Sequence, residues 1–204
     1  VYGKQLELMK LLGMLLFKEH DDVETERLAT YMMALHTDSP DGFLLQARLF
    51  SRQQQLQEAL LMYDDARSKS TGEEATTVSL EMMGLLLRVR QLDRFDAIAT
   101  DIQGDLQSNK KHTAKFHQRL ADRELTRNKP WAAISELEKA EIATPLSAPI
   151  CLMKAEVYVG LGENAKATAE YRKALKIEPD NEKIVLALRR LEKTRLQDGL
   201  LLGK

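Results

Sequence analysis

Small residues recur along this chain at nearly constant intervals. Glycine or alanine stands in the middle of five apolar helical patterns, at steps of 34, 37, 37 and 34 residues: Gly13, Ala47, Gly84, Ala121 and Ala155. A second series follows 12 or 13 residues after the last four of these: Ala59, Ala97, Ala133 and Ala167. A period in this range is the signature of stacked helical hairpins, because small residues let two helix backbones approach closely.

The register is tightest in the last two repeats. Four residues are each followed, 34 positions later, by a residue of similar type: Ala133, Leu137, Ala140 and Pro145 precede Ala167, Tyr171, Ala174 and Pro179. With its Gly160-Leu-Gly162-Glu163 turn, the last repeat resembles the tetratricopeptide repeat family. The resemblance is strongest over 148–181 and 114–147, and weak over 2–38. Cys151, Lys154 and Gly104 depart from the family pattern.

The resemblance implies an all-α fold, a right-handed α-solenoid of about five stacked helical hairpins followed by a C-terminal capping helix. We expect one domain, with units and cap at about 2–38, 40–70, 74–108, 112–145, 147–179 and 182–198. The capping helix carries an apolar stripe formed by Ile184, Leu188 and Leu191. The apolar tail 199–202 is either the start of a further unit or a strip that docks on the cap. The chain begins with Val1, which favours a fragment of a longer protein.

The composition excludes several classes of function. The chain has 204 residues, 44% of them hydrophobic, and a net charge of −1, so it has no long-range attraction for nucleic acid or anionic lipid. No apolar run is long enough to span a membrane. The single cysteine, Cys151, lies within an apolar pattern and is expected to be a buried thiol. Cytoplasmic and bacterial periplasmic locations are both compatible with these features.

No catalytic, cofactor or metal motif emerges from the sequence. His112 and His117 are five residues apart and do not share a helix face, and His20 beside Asp21 fits a helix cap. Gly160-Leu-Gly162 lies between two helices and lacks the third glycine of a dinucleotide fingerprint. We therefore expect a protein that is not an enzyme and that holds no cofactor or metal.

The remaining candidate is the concave groove lined by the first helix of each hairpin. Its members are projected from the residue after each small position and that residue's neighbours one turn away. They are Lys10, Met14, Phe17, Leu44, Arg48, Ser51, Glu81, Leu85, Arg88, Gln118, Asp122, Leu125, Leu152, Glu156 and Val159. For Leu44, Leu85 and Leu152 the alternative is packing against the adjacent helix. The carboxylate clamp of some tetratricopeptide proteins is not expected, because Gln118, Asp122, Leu152 and Glu156 occupy the corresponding faces.

These features favour a non-catalytic scaffold that binds a partner peptide, helix or adjacent domain in its groove. Similar arrays serve bacterial envelope assembly and export, and by that analogy a complex of this kind is one expected setting. The alternative is a self-assembly or regulatory module that multimerises through the ends of the stack, with residues 199–202 as the adhesive edge.

Overall fold

The computed structural model describes the backbone of residues 2–202 and the side chains of residues 4–106, 109–191 and 193. Over the described backbone the chain forms eleven α-helices and one short 3-10 helix, without a strand. The helices are α1 (Tyr2–Lys18), α2 (Asp22–Leu35), α3 (Asp41–Arg52), α4 (Leu56–Lys69), α5 (Gly72–Arg88), α6 (Leu92–Ile102), α7 (Lys110–Thr126), α8 (Pro130–Ala143), α9 (Ala148–Gly160), α10 (Asn164–Ile177) and α11 (Glu182–Leu202). The 3-10 helix Gln103–Ser108 continues α6. The predicted all-α architecture is confirmed.

Each hairpin turns through one residue with a positive φ. These residues are His20, Gln54, Arg90, Asn128 and Gly162, with φ between 58° and 74°. The amide N–H of the following residue donates to a carbonyl at the end of the first helix, as in Glu163 N to Tyr158 O at 2.9 Å. This is the Schellman arrangement, in which a left-handed residue lets the last carbonyls find partners. Of the five, Gly162 alone lacks the Cβ that opposes this conformation.

The turns fix the true register of the repeat. Seven residues before each left-handed residue lies a residue packed between helices: Gly13, Ala47, Met83, Ala121 and Ala155. The last four of these are completely buried. A Cβ added to Gly13 would lie 2.7 Å from Leu45 Cδ2, so the side chain of α3 reaches the backbone of α1 there. The spacings are therefore 34, 36, 38 and 34 residues.

The third hairpin corrects the sequence interpretation. Gly84 is only half-buried and Ala97 is exposed, whereas Met83 and Phe95 are completely buried. The two small residues lie one and two positions beyond the packed ones. This hairpin fills its interface with a methionine and a phenylalanine, where the second, fourth and fifth hairpins use alanine.

The chain divides into two compact units, residues 1–108 and 109–204. The first contains α1 to α6, and its most buried large side chains include Met32, Leu49 and Phe95. In the second, Ala121, Ala133, Leu137 and Ala167 pack together with Val157 and Tyr158. The expectation of a single domain stays a prediction.

The terminal helix α11 packs on α10 as the sequence predicted. Ile184 and Leu188 are buried against Tyr171 and Ala174, and Leu191 lies partly buried beside them. The side chains of the tail 199–202 lie outside the described residues. Among the described residues, no helix has both the length and the apolar character needed to cross a bilayer.

Candidate functional site

Four predicted groove residues of the first unit converge on a small cavity. Lys10 and Met14 of α1 and Leu44 and Arg48 of α3 line a volume of about 170 Å³. The basic groups in it already have acidic partners. Lys10 Nζ lies 3.0 Å from an oxygen of Asp41 and 3.3 Å from one of Glu7. The cavity therefore presents balanced charge to a ligand.

Arg48 ties α3 to α5. Its guanidinium donates to both carboxylate oxygens of Glu81, at 2.6 and 2.9 Å, and Tyr63 donates to the same carboxylate at 3.3 Å. Burial alone would lower the pKa of Arg48, but the hydrogen bonds and charge of Glu81 raise it above its ordinary value. Both Arg48 and Glu81 were projected as groove residues, and here they bind each other.

The other projected residues of this unit are divided between surface and core. Leu85 is only 3% exposed, so its placement in the groove was wrong and the alternative of helix packing holds. The exposed Arg88 donates to Ser51 Oγ at 2.9 Å and to Gln54 Oε1 at 2.8 Å. The ring of Phe17 lies under a guanidinium, with Arg52 Cζ 3.9 Å from the ring centroid.

The second unit contains a larger and less balanced cavity between α7 and α9. Its volume is about 390 Å³, and three predicted residues line it: Asp122, Leu125 and Glu156. It is also lined by Asn128, Pro130, Met153, Val157 and Gly160. The sequence had assigned Asn128 and Pro130 only to the hairpin turn. The closeness of both residues in sequence to Leu125, a predicted groove residue, is the signal that could have identified them as lining residues.

The two carboxylates give this cavity its chemical character. Asp122 accepts a long hydrogen bond from Arg119 at 3.5 Å, and the charge of Lys115 also acts on its carboxylate. Burial raises the pKa of Asp122 above its ordinary value, against the opposing effect of Arg119. Among the described residues, no side-chain cation pairs with the exposed Glu156. The cavity therefore combines apolar side chains with two acids, of which Asp122 has one long ion pair and Glu156 has none among the described residues.

The three remaining projected residues of the second unit do not line this cavity. Leu152 is half-buried against the core cluster of α9, α10 and α11, so it follows the packing alternative. Val159 is 41% exposed, and Gln118 is half-buried on α7.

A polar cluster around the buried Lys154 and Glu170 connects α8, α9 and α10. Lys154 Nζ lies 2.7 Å from Glu141 Oε2 and 3.2 Å from Glu170 Oε1, and Lys173 Nζ lies 2.9 Å from Glu170. Ligand-type atoms of Glu141, Cys151 and Glu170 lie within 4.8 Å of one another. Burial raises the pKa of the Cys151 thiol, which favours its protonated form. Two ammonium groups thus neutralise two carboxylates, an arrangement that holds three helices together.

Comparisons with known proteins identify the fold. No protein-family model matches the chain, and the curated proteins contain no significant match. Among solved structures it is similar to PilF of Pseudomonas aeruginosa, with a TM-score of 0.71 at 16% identity, covering 95% of this chain and 85% of PilF. It is also similar to TTC0263, a thermophilic TPR protein of Thermus thermophilus, with a TM-score of 0.70 at 17% identity, covering 91% of this chain and 97% of that one. YrrB, a TPR protein with an unusual peptide-binding site, gives a TM-score of 0.55 at 14% identity, covering 89% and 90%. The fold is the tetratricopeptide-type α-solenoid fold.

Proposed function

We propose that this chain is a non-catalytic protein-binding module whose second unit holds a partner segment in the cavity between α7 and α9. The observation that carries the proposal is the cavity itself. Its volume is about 390 Å³, and its lining combines apolar side chains with the carboxylates of Asp122 and Glu156. A cavity of this size with few polar groups is typical of a binding site for a side chain or a short segment.

The lining defines the chemistry of the partner. Leu125, Met153 and Val157 offer apolar contact, and the two carboxylates favour a cation beside it. A partner segment with an apolar side chain next to lysine or arginine satisfies both requirements. Glu156, which has no ion-pair partner among the described residues, gains most from such a cation, which also speeds encounter at low ionic strength.

The cavity of the first unit is a weaker candidate for the binding site. Lys10 and Arg48 already have carboxylate partners within about hydrogen-bond distance, so a new ligand must compete with them. We therefore assign the primary contact to the second unit.

The similar structures support a binding role in general. YrrB is described as having a peptide-binding site, and the tetratricopeptide-type fold displays a groove on which such a site can be built. Two of the similar proteins are from Pseudomonas aeruginosa and Thermus thermophilus. As part of the same proposal, we expect this chain to act in a bacterial assembly or export complex.

The decisive experiment compares basic and acidic peptides. An array of short helical peptides in which leucine is flanked by lysine or by glutamate would be probed with the 204-residue chain. The affinity of the best binder would then be measured by fluorescence anisotropy. We expect lysine-flanked peptides to bind, and the double variant Asp122→Asn and Glu156→Gln to weaken them by about tenfold or more.

A matched control removes the same number of charges from the same unit. Glu138 is exposed on α8 and Glu178 is exposed directly after α10, and both lie outside the cavity. Glu138→Gln with Glu178→Gln should leave the affinity within about a factor of two, since distant exposed charges are screened by salt. Equal weakening by the two double variants, or equal binding of acidic peptides, would contradict the assignment of the site.

A further inference from the structure

The first helix exposes four leucines on one side. Leu8, Leu11, Leu12 and Leu15 are 66%, 63%, 47% and 54% exposed. At about 100° per residue these positions fall within an arc of roughly 100° on α1. They form a continuous apolar stripe, which we call the α1 stripe, on the side of the helix away from Met9 and Gly13. Contiguous exposed apolar surface of this kind marks an interaction site.

The repeat shows that this stripe has the character of an interior surface. In the fixed register, Leu8 corresponds to Gly42, Val78, Phe116, Ile150 and Ile184, and Leu12 corresponds to Gln46, Met82, Leu120, Lys154 and Leu188. Leu15 corresponds to Leu49, Leu85, Arg123, Val157 and Leu191. These later residues are buried, except that Leu120, Arg123 and Leu191 are half-buried, and Leu11 corresponds to one buried leucine, Leu45, and to half-buried residues in the later helices.

On three later helices, α3, α9 and α11, the corresponding face is covered by the helix that precedes each of them in the chain. A Cβ at Gly42 would lie 2.8 Å from Met33 of α2. Lys154 of α9 bonds to Glu141 of α8, and Ile184 of α11 packs among residues of α10. Within the described residues no helix lies over the α1 stripe. It is therefore a helix-packing surface without its helix.

The charges at the two ends of the stripe indicate which helix fits. Lys4 lies one turn before Leu8, and Glu19 lies one turn after Leu15, where its N–H still donates to Leu15 O at 2.9 Å. Both are exposed, and neither side chain forms an ion pair with any described residue. The charges and leucines along α1 therefore match those of a second α1 helix that runs in the opposite direction. An antiparallel copy centred between Leu11 and Leu12 sets Leu8 against Leu15 and Lys4 against Glu19.

We propose that the α1 stripe is the interface through which two copies of this chain associate, with their α1 helices antiparallel about a two-fold axis. In such an isologous contact the same patch is used on both copies, so each pairing occurs twice. The leucines supply the apolar centre, and two Lys4–Glu19 ion pairs close its ends. This contact is separate from the groove of the second unit and does not depend on the function proposed for it.

Sedimentation velocity over about a hundredfold range of concentration tests for the second copy, because the dimer fraction rises with concentration. We expect a reversible monomer–dimer equilibrium for the 204-residue chain. Leu12→Glu should leave only monomer, since it buries a charge at the centre of the contact. The control Leu61→Glu changes a leucine of α4 that is 62% exposed, and it should leave the equilibrium unchanged.

Charge reversal tests the antiparallel pairing itself. Lys4→Glu or Glu19→Lys alone sets like charges together at both ends, and each should weaken the dimer by about threefold to tenfold. The double variant restores opposite charges and should recover the parent affinity. Circular dichroism should show the same helix content throughout. A chain that stays monomeric, a dimer that survives Leu12→Glu, or a double variant as weak as the singles would overturn the proposal.

Discussion

Replacing Lys154 with methionine is the sharpest test of what holds the second unit together. The lysine side chain is only 6% exposed, and its ammonium group contacts both Glu141 and Glu170. The corresponding position in α11 holds Leu188, so an apolar side chain suits the site, and methionine is unbranched like the lysine that it replaces. Lys154→Met therefore removes the charge and retains most of the packing.

The expected loss of stability follows from the carboxylates that remain. Removing one partner of a buried ion pair costs about 3–5 kcal/mol. Lys173 still reaches Glu170 at 2.9 Å, and the Glu141 side chain is 26% exposed, so we expect the lower end, about 3 kcal/mol. Adding Glu170→Gln leaves Lys173 with a single carboxylate, Glu141 at 3.7 Å, and should recover about half of the loss or more.

The pH dependence of this loss has a defined sign. Burial alone would raise the pKa of Glu141, but its hydrogen bonds to Lys154 and Lys173 lower that pKa below its ordinary value of 4.5. Burial alone would lower the pKa of Lys154, but Glu141 and Glu170 raise that pKa above its ordinary value of 10.5. Stability from a lowered carboxyl pKa is lost as pH falls through the folded value, and stability from a raised ammonium pKa is lost as pH rises through it. The difference between parent and Lys154→Met should therefore be largest between about pH 5 and 10 and should shrink on either side.

Urea unfolding followed by far-ultraviolet circular dichroism measures these differences, provided that the slope with denaturant is unchanged. Lys139→Met is the matched control, because Lys139 also bonds to a glutamate, Glu136 at 2.7 Å, but is 52% exposed. It should cost less than about 1 kcal/mol. A loss of that small size for Lys154→Met, or a double variant less stable than the single, would refute the reasoning.

Three further predictions address packing and turns, each measured as a change in free energy of unfolding. Ala167→Leu should destabilise by about 1–3 kcal/mol, because it overfills a completely buried contact, and an unchanged thermal midpoint would contradict the register of the last hairpin. Phe95→Ala should cost about 3–5 kcal/mol, whereas Ala97→Ser, at an exposed position, should stay within about 0.5 kcal/mol. A larger loss for Ala97→Ser than for Phe95→Ala would support the register predicted from Gly84 and Ala97. Gly162→Ala should cost about 1–2 kcal/mol and Arg90→Gly should gain up to about 1 kcal/mol, since both residues have positive φ; a gain from the first variant would refute the turn argument.

The helices were predictable because their ends carry local chemical signals. The turn at Asn128 and Pro130 and the glycine at Gly162 separate apolar patterns of helical period, and the structure places the helix ends there. Such signals lie within a few residues of the structure that they produce. This explains why the number and order of the helices agreed with the sequence.

The register of the third hairpin was not predictable from small residues alone. Gly84 and Ala97 resemble the repeating positions but lie just beyond Met83 and Phe95, which fill the same interface with larger side chains. The left-handed turn residue is the reliable marker. It is evident in the sequence only where glycine or asparagine occupies it, and the third hairpin has Arg90 instead.

The electrostatics of the candidate groove could not be predicted from the sequence. Helical periodicity correctly placed Arg48 and Glu81 on neighbouring first helices, yet it could not show that they bind each other across 33 residues. Ion pairing depends on how two helices are set side by side. A sequence pattern read one helix at a time does not contain that information.

This difference decides which charges can report on binding. Reversing Arg48 would place an acid against Glu81, and reversing Arg67 would break its contacts with Ser79 and Asp101, so both changes alter the first unit before any partner arrives. Asp122 and Glu156 line a cavity, and the one ion pair that either forms among the described residues, Asp122 with Arg119, lies within α7, so their neutralisation leaves the packing between helices intact. A loss of affinity at these two positions with unchanged stability is therefore attributable to the partner. The same loss at Arg48 would be equally well explained by a disturbed contact between α3 and α5.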